Sequence, residues 1–240
     1  MFTRQAIAAI AILFATAVPS MADSAVFQRL LDASVWIDNL DGECVGSGVV
    51  VDAQRRLVVT NYHVVGQSSR VAVFFAAFDG SGELVTTRRT YRENFATLHE
   101  NKIACVGEVI GTWQERDLAL IELDSIPGDV NAVPMAANSA GPGEAVHSVG
   151  SPVASGALWV YSPGNVRQVY QRHIKYEDGQ KVAARMLEVT SPINGGDSGS
   201  GMVNANGELI GIVNATSVRG TLMRYAIDIN EVKTFMESFD

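Results

Sequence analysis

Residues 194–201 read NGGDSGSG: four glycines set around an acid and two serines, Ser198 and Ser200. Clusters of Gly, Ser, Asp and Asn ordinarily mark turns, because Gly reaches positive φ at little cost and Asx side chains bond their own backbone. The same composition also suits a nucleophile. A Gly-x-Ser turn can aim backbone N–H groups at a developing oxyanion, and glycine at 196 leaves the backbone free to adopt the conformation that does so. Serine at its free pKa is a weak nucleophile, so this chemistry requires a base and an orienting acid elsewhere in the chain.

Two upstream stretches offer them. RLVVTNYHVV (56–65) places His63 just past an apolar β-type run, and QERDLALIEL (114–123) places Asp117 at the mouth of another. Taken singly, each has a plain structural reading: a packed histidine, and a solvated acid beside Glu115 and Arg116. Together with a serine they make a functional set. Histidine titrates near neutrality and can accept the hydroxyl proton, while a carboxylate on its far ring nitrogen fixes the tautomer and stabilises the imidazolium. The order His, Asp, Ser excludes the serine-esterase pattern, which runs Ser, acid, His and requires G-x-S-x-G. Neither Ser198 nor Ser200 has glycine at both −2 and +2.

The texture around these residues is β-rich. VWID, CVGSGVVV, RLVVT, VAVFFAAF, LALIEL, AVHSVG, ALWVY, RMLEVT, LIGIVN and MRYAI are short apolar runs separated by Gly, Asn, Asp and Pro, which predicts a barrel or sandwich. Val26/Leu30 and Phe27/Leu31, spaced four apart, predict a short helix opened by Ser24. Val232, Phe235, Met236 and Phe239 predict a closing helix. The division between two strand-rich halves falls in SIPGDVNAVP, residues 125–134.

TNYHVV, DLALIEL and NGGDSGSG, in that order, resemble the chymotrypsin-fold serine proteases, and the closest texture is the bacterial HtrA/Deg branch. SGVVVDAQRRLVVTNYHVV is similar to that branch's strand pair ending in TN-x-HV, EAVHSVGSPVASG to its Gly-x-Pro segment, INGGDSGSGMVNANGELIGIVN to its nucleophile turn and hairpin, and MRYAIDINEVKTFM to its last strand and helix. The resemblance implies an all-β fold of two six-stranded Greek-key barrels, about 34–126 and 132–227, with short N- and C-terminal helices, the latter at about 229–239. It implies a serine endopeptidase with His63, Asp117 and Ser198 catalytic, Ser200 not, and an oxyanion hole at the N–H groups of Gly196 and Ser198.

It also implies where specificity resides. Pro192 stands where trypsin-like enzymes carry an acid for basic P1 side chains, and Val213 stands where glutamyl endopeptidases carry a histidine. Val213, Asn214, Ala215 and Thr216 form the segment expected to pair with substrate and wall the pocket, with a small or medium aliphatic P1 residue preferred. Asp197 matches the acid that digestive relatives pair with a freshly cut Ile-Val-Gly-Gly type N-terminus. No such start is present, so local backbone or side-chain donors are expected to hold it. The resemblance covers the protease domain and not the PDZ domain that most HtrA proteins append.

The N-terminal 22 residues have the parts of a secretory leader: basic Arg4, the apolar run Ala6–Val18, Pro19, and small residues before a cut ahead of Asp23. A periplasmic or secreted serine peptidase is therefore expected, with 23–240 as its folded part and protein or peptide substrates as partners. No membrane association is expected once the leader is gone. The formal charge of −8 becomes −9 without Arg4, which argues against nucleic acid as a partner. Cys44 and Cys105 can form a disulfide in an oxidising compartment or remain two free thiols. The four histidines are scattered and no CxxC occurs, so no metal is implied, and the chemistry requires no cofactor. A protease fold that has lost activity and serves as a binding module is the competing reading.

Overall fold

The computed structural model describes residues 21–39, 44–176, 179–215 and 223–239. The leader lies outside them except for Met21 and Ala22, which begin the first helix. Six strands, β1 (Ser34–Asn39), β2 (Cys44–Asp52), β3 (Leu57–Thr60), β4 (Arg70–Phe74), β5 (Ala104–Trp113) and β6 (Leu118–Leu123), close into an antiparallel barrel in the order β1-β2-β3-β6-β5-β4. Six more, β7 (Ala145–Gly150), β8 (Val160–Lys175), β9 (Lys181–Val189), β10 (Gly201–Asn204), β11 (Leu209–Asn214) and β12 (Arg224–Asp228), close a second barrel. Its cyclic order, β7-β8-β9-β12-β11-β10, repeats the connectivity of the first, so the chain lays down the same Greek-key pattern twice. Closure leaves no open sheet edge in either barrel.

The helices fill the ends and the seam. In α1 (Met21–Ala33), Val26, Leu30 and Leu31 are buried, and Phe27 meets the Tyr161 ring edge-on at 5.7 Å. The helix starts before Ser24, the residue expected to open it. The last helix of the fold spans Ile229–Met236. Asp228 caps it by accepting from Asn230 N at 2.8 Å, a contact of about 1 kcal/mol, and Val232, Phe235 and Met236 turn inward. Phe239 follows on a 3-10 turn and packs edge-on against Phe235.

The two longest strands were not legible as apolar runs. In β5, Ala104 and Cys105 are both buried, but from Gly107 on exposed residues alternate with buried or half-buried ones, and glycine at 107 and 111 dilutes the pattern. At 107 a Cβ would lie 2.4 Å from Ile121 Cγ2, so close strand packing excludes any larger residue. β8 carries Pro163, Gly164 and a polar run because most of it is not deeply buried. Of ALWVY, only Val160 and Tyr161 are in the strand, and Trp159 has φ +63°. The Thr- and Arg-rich stretch 79–101 is ordered and contains two short helices, Arg88–Glu93 and Phe95–Glu100.

The cysteines do not pair. Cys44 is exposed at the start of β2, whereas Cys105 is buried in β5, and both thiols are free. Going round the barrel, β1 and β4 intervene on one side and β3 and β6 on the other, which keeps the two positions beyond disulfide reach. Burial raises the Cys105 thiol pKa to about 11, so it behaves as a small core side chain.

Candidate active site

His63 lies on a one-turn helix, α2 (Tyr62–Val65), at the end of β3. Val64 and Val65 on that turn are buried, which directs His63 to the opposite side. Asn39 Nδ2 donates to Val64 O and Val65 O, at 3.2 and 2.8 Å, satisfying carbonyls the short helix leaves free. The turn also sits tightly on β2. A Cβ at Gly46 would lie 2.6 Å from Val64 and 3.1 Å from Ser198 O, so one glycine lets the histidine turn and the serine turn approach each other.

Asp117 follows the 3-10 turn Gln114–Arg116 and has φ +55°, a left-handed conformation costly for a residue with Cβ. Four donors offset that cost. His63 N donates to Oδ1 at 2.9 Å, while His63 Nδ1, Tyr176 OH and Asn214 Nδ2 converge on Oδ2 at 2.7, 3.0 and 2.9 Å. The acid read as solvated when taken alone has no exposed side-chain surface, against 26 % for the histidine. A carboxylate can only accept, so Nδ1 is the nitrogen that donates to Asp117, and Nε2 lies on the far edge of the ring.

Tyr176 extends the site beyond the expected residues, and Asn214, expected in the segment that pairs with substrate, instead donates to the acid. Tyr176, just past β8, reaches Asp117 from the end of the long β8–β9 ribbon, and Asn214 Nδ2 also donates to its hydroxyl at 2.7 Å. Nothing in the local pattern QRHIKYEDGQ marks Tyr176, because its partner lies 59 positions away.

The serine turn is held from both barrels. Ser47 N donates to Ser198 O at 2.8 Å, Ser47 Oγ to Gly196 O at 2.9 Å, and Gly199 N to Val213 O at 2.9 Å. Ser200 Oγ bonds Asp197 O within the turn and is fully buried, a structural role. Gly196 has φ +98° and Gly199 φ +90°. Added Cβ atoms would meet Ser151 O at 2.4 Å and Ser47 O at 2.0 Å, respectively, so both positions require glycine on conformational and steric grounds. Among the described residues, no acceptor takes the N–H of Gly196 or of Ser198. Buried N–H groups without partners are rare and are a feature of sites built to receive an acceptor.

Residues at the end of β11 bring the parts together: Asn214 donates to Asp117, and the adjacent Ala215 N donates to Ser198 Oγ at 3.1 Å. Among the described residues, Ser198 Oγ makes no hydrogen bond to His63.

The model of the family described as "Trypsin-like peptidase domain" matches residues 46–212, which include His63, Asp117 and Ser198. The chain belongs to the trypsin-like peptidase family. A curated relative, the "Serine protease HtrA-like" of Staphylococcus aureus (strain USA300), is 26 % identical over 221 residues, covering 87 % of this chain and 25 % of the relative. The chain thus spans about a quarter of the length of the curated relatives it matches. Among solved structures, the active form of the Rv3671c protease from M. tuberculosis superposes with a TM-score of 0.69 at 19 % identity, covering 98 % of this chain and 93 % of that one. Deg5 superposes with a TM-score of 0.65 at 22 % identity, covering 89 % and 91 %. These structural likenesses concern the fold.

The expected specificity residues of the peptidase fall in different places. Pro192 is exposed beside the serine turn, and Ala215 is half-buried. Val213 is fully buried in the core of the second barrel, and the Asn214 side chain is committed to Asp117 and Tyr176. Neither side chain is turned to an open pocket wall: strand alternation sends one into the barrel and the other into the inter-barrel polar cluster. Thr216 lies outside the described residues.

Asp197, next to the serine, is buried and accepts from Asn194 N at 2.9 Å, the local backbone donor expected. Burial raises its pKa to about 6, with the Asn194 N–H and the Arg88 charge pulling the other way.

Proposed function

We propose that this peptidase is an exported serine endopeptidase acting through Ser198, His63 and Asp117. His63 Nε2 removes the Ser198 hydroxyl proton as Oγ attacks the peptide carbonyl, and Asp117 stabilises the imidazolium through Nδ1. The N–H groups of Gly196 and Ser198 receive the oxyanion. His63 then protonates the leaving amine, and water hydrolyses the acyl-enzyme by the same route. The observation that carries this reading is the joint presentation, at the end of β11, of an acid-anchored histidine and a serine turn whose two N–H groups have no partner among the described residues.

A small or medium aliphatic P1 residue suits a site with uncharged Pro192 and Ala215 beside the serine turn. Export is supported by residues 1–22, and among the described residues no helix is long and apolar enough to cross a membrane. A second reading, a silent protease-fold binding module, draws on the Ser198 Oγ contact with Ala215 N in place of His63. A fluorophosphonate probe separates the two. Wild-type protein and Ser200→Ala should label and Ser198→Ala should not, whereas absence of labelling in folded wild-type protein supports the binding module. Cleavage of a peptide library mainly after Arg, Lys or Glu would overturn the specificity.

A further inference from the structure

Behind the serine turn sits a cation that the proposed chemistry does not use. The helix α3 (Arg88–Glu93) presents Arg88 and Arg92 one turn apart, both over the Trp36 ring, at 6.0 and 5.5 Å from its centroid. Arg92 forks onto buried Asp38 of β1 at 2.6 and 2.9 Å, fixing the helix to the first barrel. The preceding segment is fixed to the second barrel: Leu158 N donates to Thr86 O at 2.9 Å, and Trp159 Nε1 to Val85 O and Tyr91 OH, both at 3.1 Å.

So held, Arg88 points its Nη2 at Ser151 O, 2.5 Å away. Its Nε is buried without a partner among the described residues, as is the Ser151 hydroxyl. The Gly150–Ser151 segment in turn backs the serine turn. A Cβ at Gly150 would lie 2.4 Å from Asp197 Oδ1, one at Gly196 would lie 2.4 Å from Ser151 O, and Val153 N donates to Gly195 O at 2.8 Å. Asp197 itself has one donor among the described residues, Asn194 N on Oδ2. One backbone donor is a thin return for burying a carboxylate. The groups around the pair are Asp38 and Arg92 beside Arg88. Arg88 and Asp197 make no direct ion pair; Arg88 is seated on Ser151 O, the Gly150–Ser151 segment packs against Asp197, and across it the two charges attract.

We infer that Arg88 is a positioning residue for the oxyanion turn: from the first barrel it supplies the counter-charge that holds Asp197, and with it the N–H groups of Gly196 and Ser198, in reactive geometry without a newly cut N-terminus. This rests on the oxyanion role proposed above.

The test is a double-mutant cycle of Arg88→Met and Asp197→Asn, with Arg88→Lys as the conservative variant, read by peptide hydrolysis and by the NMR titration of the Asp197 carboxyl. Arg88→Met should lower kcat about tenfold or more with KM within about twofold, the pattern of a lost transition-state contact. In the Asp197→Asn background the same change should cost less than about threefold. The Asp197 midpoint should rise in Arg88→Met and return toward wild type in Arg88→Lys. Equal losses of kcat in both backgrounds, or an unmoved Asp197 midpoint, would overturn the inference. The titration reads the Arg88–Asp197 coupling even in a protein that fails to label with a fluorophosphonate, so failure of the peptidase reading and failure of this inference give different results.

Discussion

Asp197 makes the stability of this protein depend on pH, and Asp197→Asn isolates the effect. The wild-type carboxyl has a folded pKa of about 6 against an ordinary 3.8, chiefly because it is buried. Below 3.8 the folded and unfolded chains both carry a protonated Asp197 and the residue contributes no difference. Between 3.8 and about 6 the folded chain keeps a proton that the unfolded chain has lost. Above about 6 the folded chain must bury the charge, so stability falls as pH rises through this window. A shift of roughly two units corresponds to about 3 kcal/mol. Asparagine keeps an acceptor for Asn194 N and carries no charge. The variant should therefore gain about 3 kcal/mol on wild type between about pH 4 and about pH 7.5. For a chain of this size that is about 6–12 °C in Tm. Paired thermal and urea melts across this range measure the gap directly. A wild-type-to-variant difference that is flat with pH would refute the buried-charge account.

Three further outcomes follow from particular contacts. Tyr176→Phe removes one of four donors to Asp117; a hydrogen bond to a charged group is worth about 1.5–3 kcal/mol, and if part of that is expressed as lost orientation of His63, kcat should fall about threefold to tenfold at constant KM. Unchanged steady-state kinetics would show that the tyrosine is not needed to orient the acid. Gly199→Ala places a Cβ 2.0 Å from Ser47 O at φ +90° and should destabilise the fold by on the order of 3 kcal/mol or more, read by urea unfolding. A thiol reagent should modify Cys44 alone in the native protein and both cysteines after denaturation; no reactive thiol in the denatured, unreduced chain would mean that the two are bridged.

The sequence by itself determined the β class, the paired halves and the residues of the proposed chemistry. Alternating apolar runs and glycine turns are local signals, and His63, Asp117 and Ser198, each with a plain structural reading when taken singly, became legible as a set through three short motifs in order along the chain. Conformational necessity was legible too: glycine at 196 pointed to a backbone that L side chains resist, and φ there is +98°. Strands such as β5 and much of β8 escaped because their burial is partial and alternating, which leaves a polar, glycine-bearing sequence with the look of a loop.

Only the tertiary structure decided which distant residues share a site. Tyr176, just past β8, and Asn214, at the end of β11, meet at Asp117 from opposite sides of the second barrel, and Val213, expected beside substrate, is turned into the core. Arg88 lies 109 positions before Asp197 in the chain, in the Thr- and Arg-rich stretch 79–101. Its place behind the serine turn follows from barrel closure and from the docking of 85–91 on 157–159. Contacts of that kind leave no periodicity or motif in either partner, because the physical reason for each residue lies in the other.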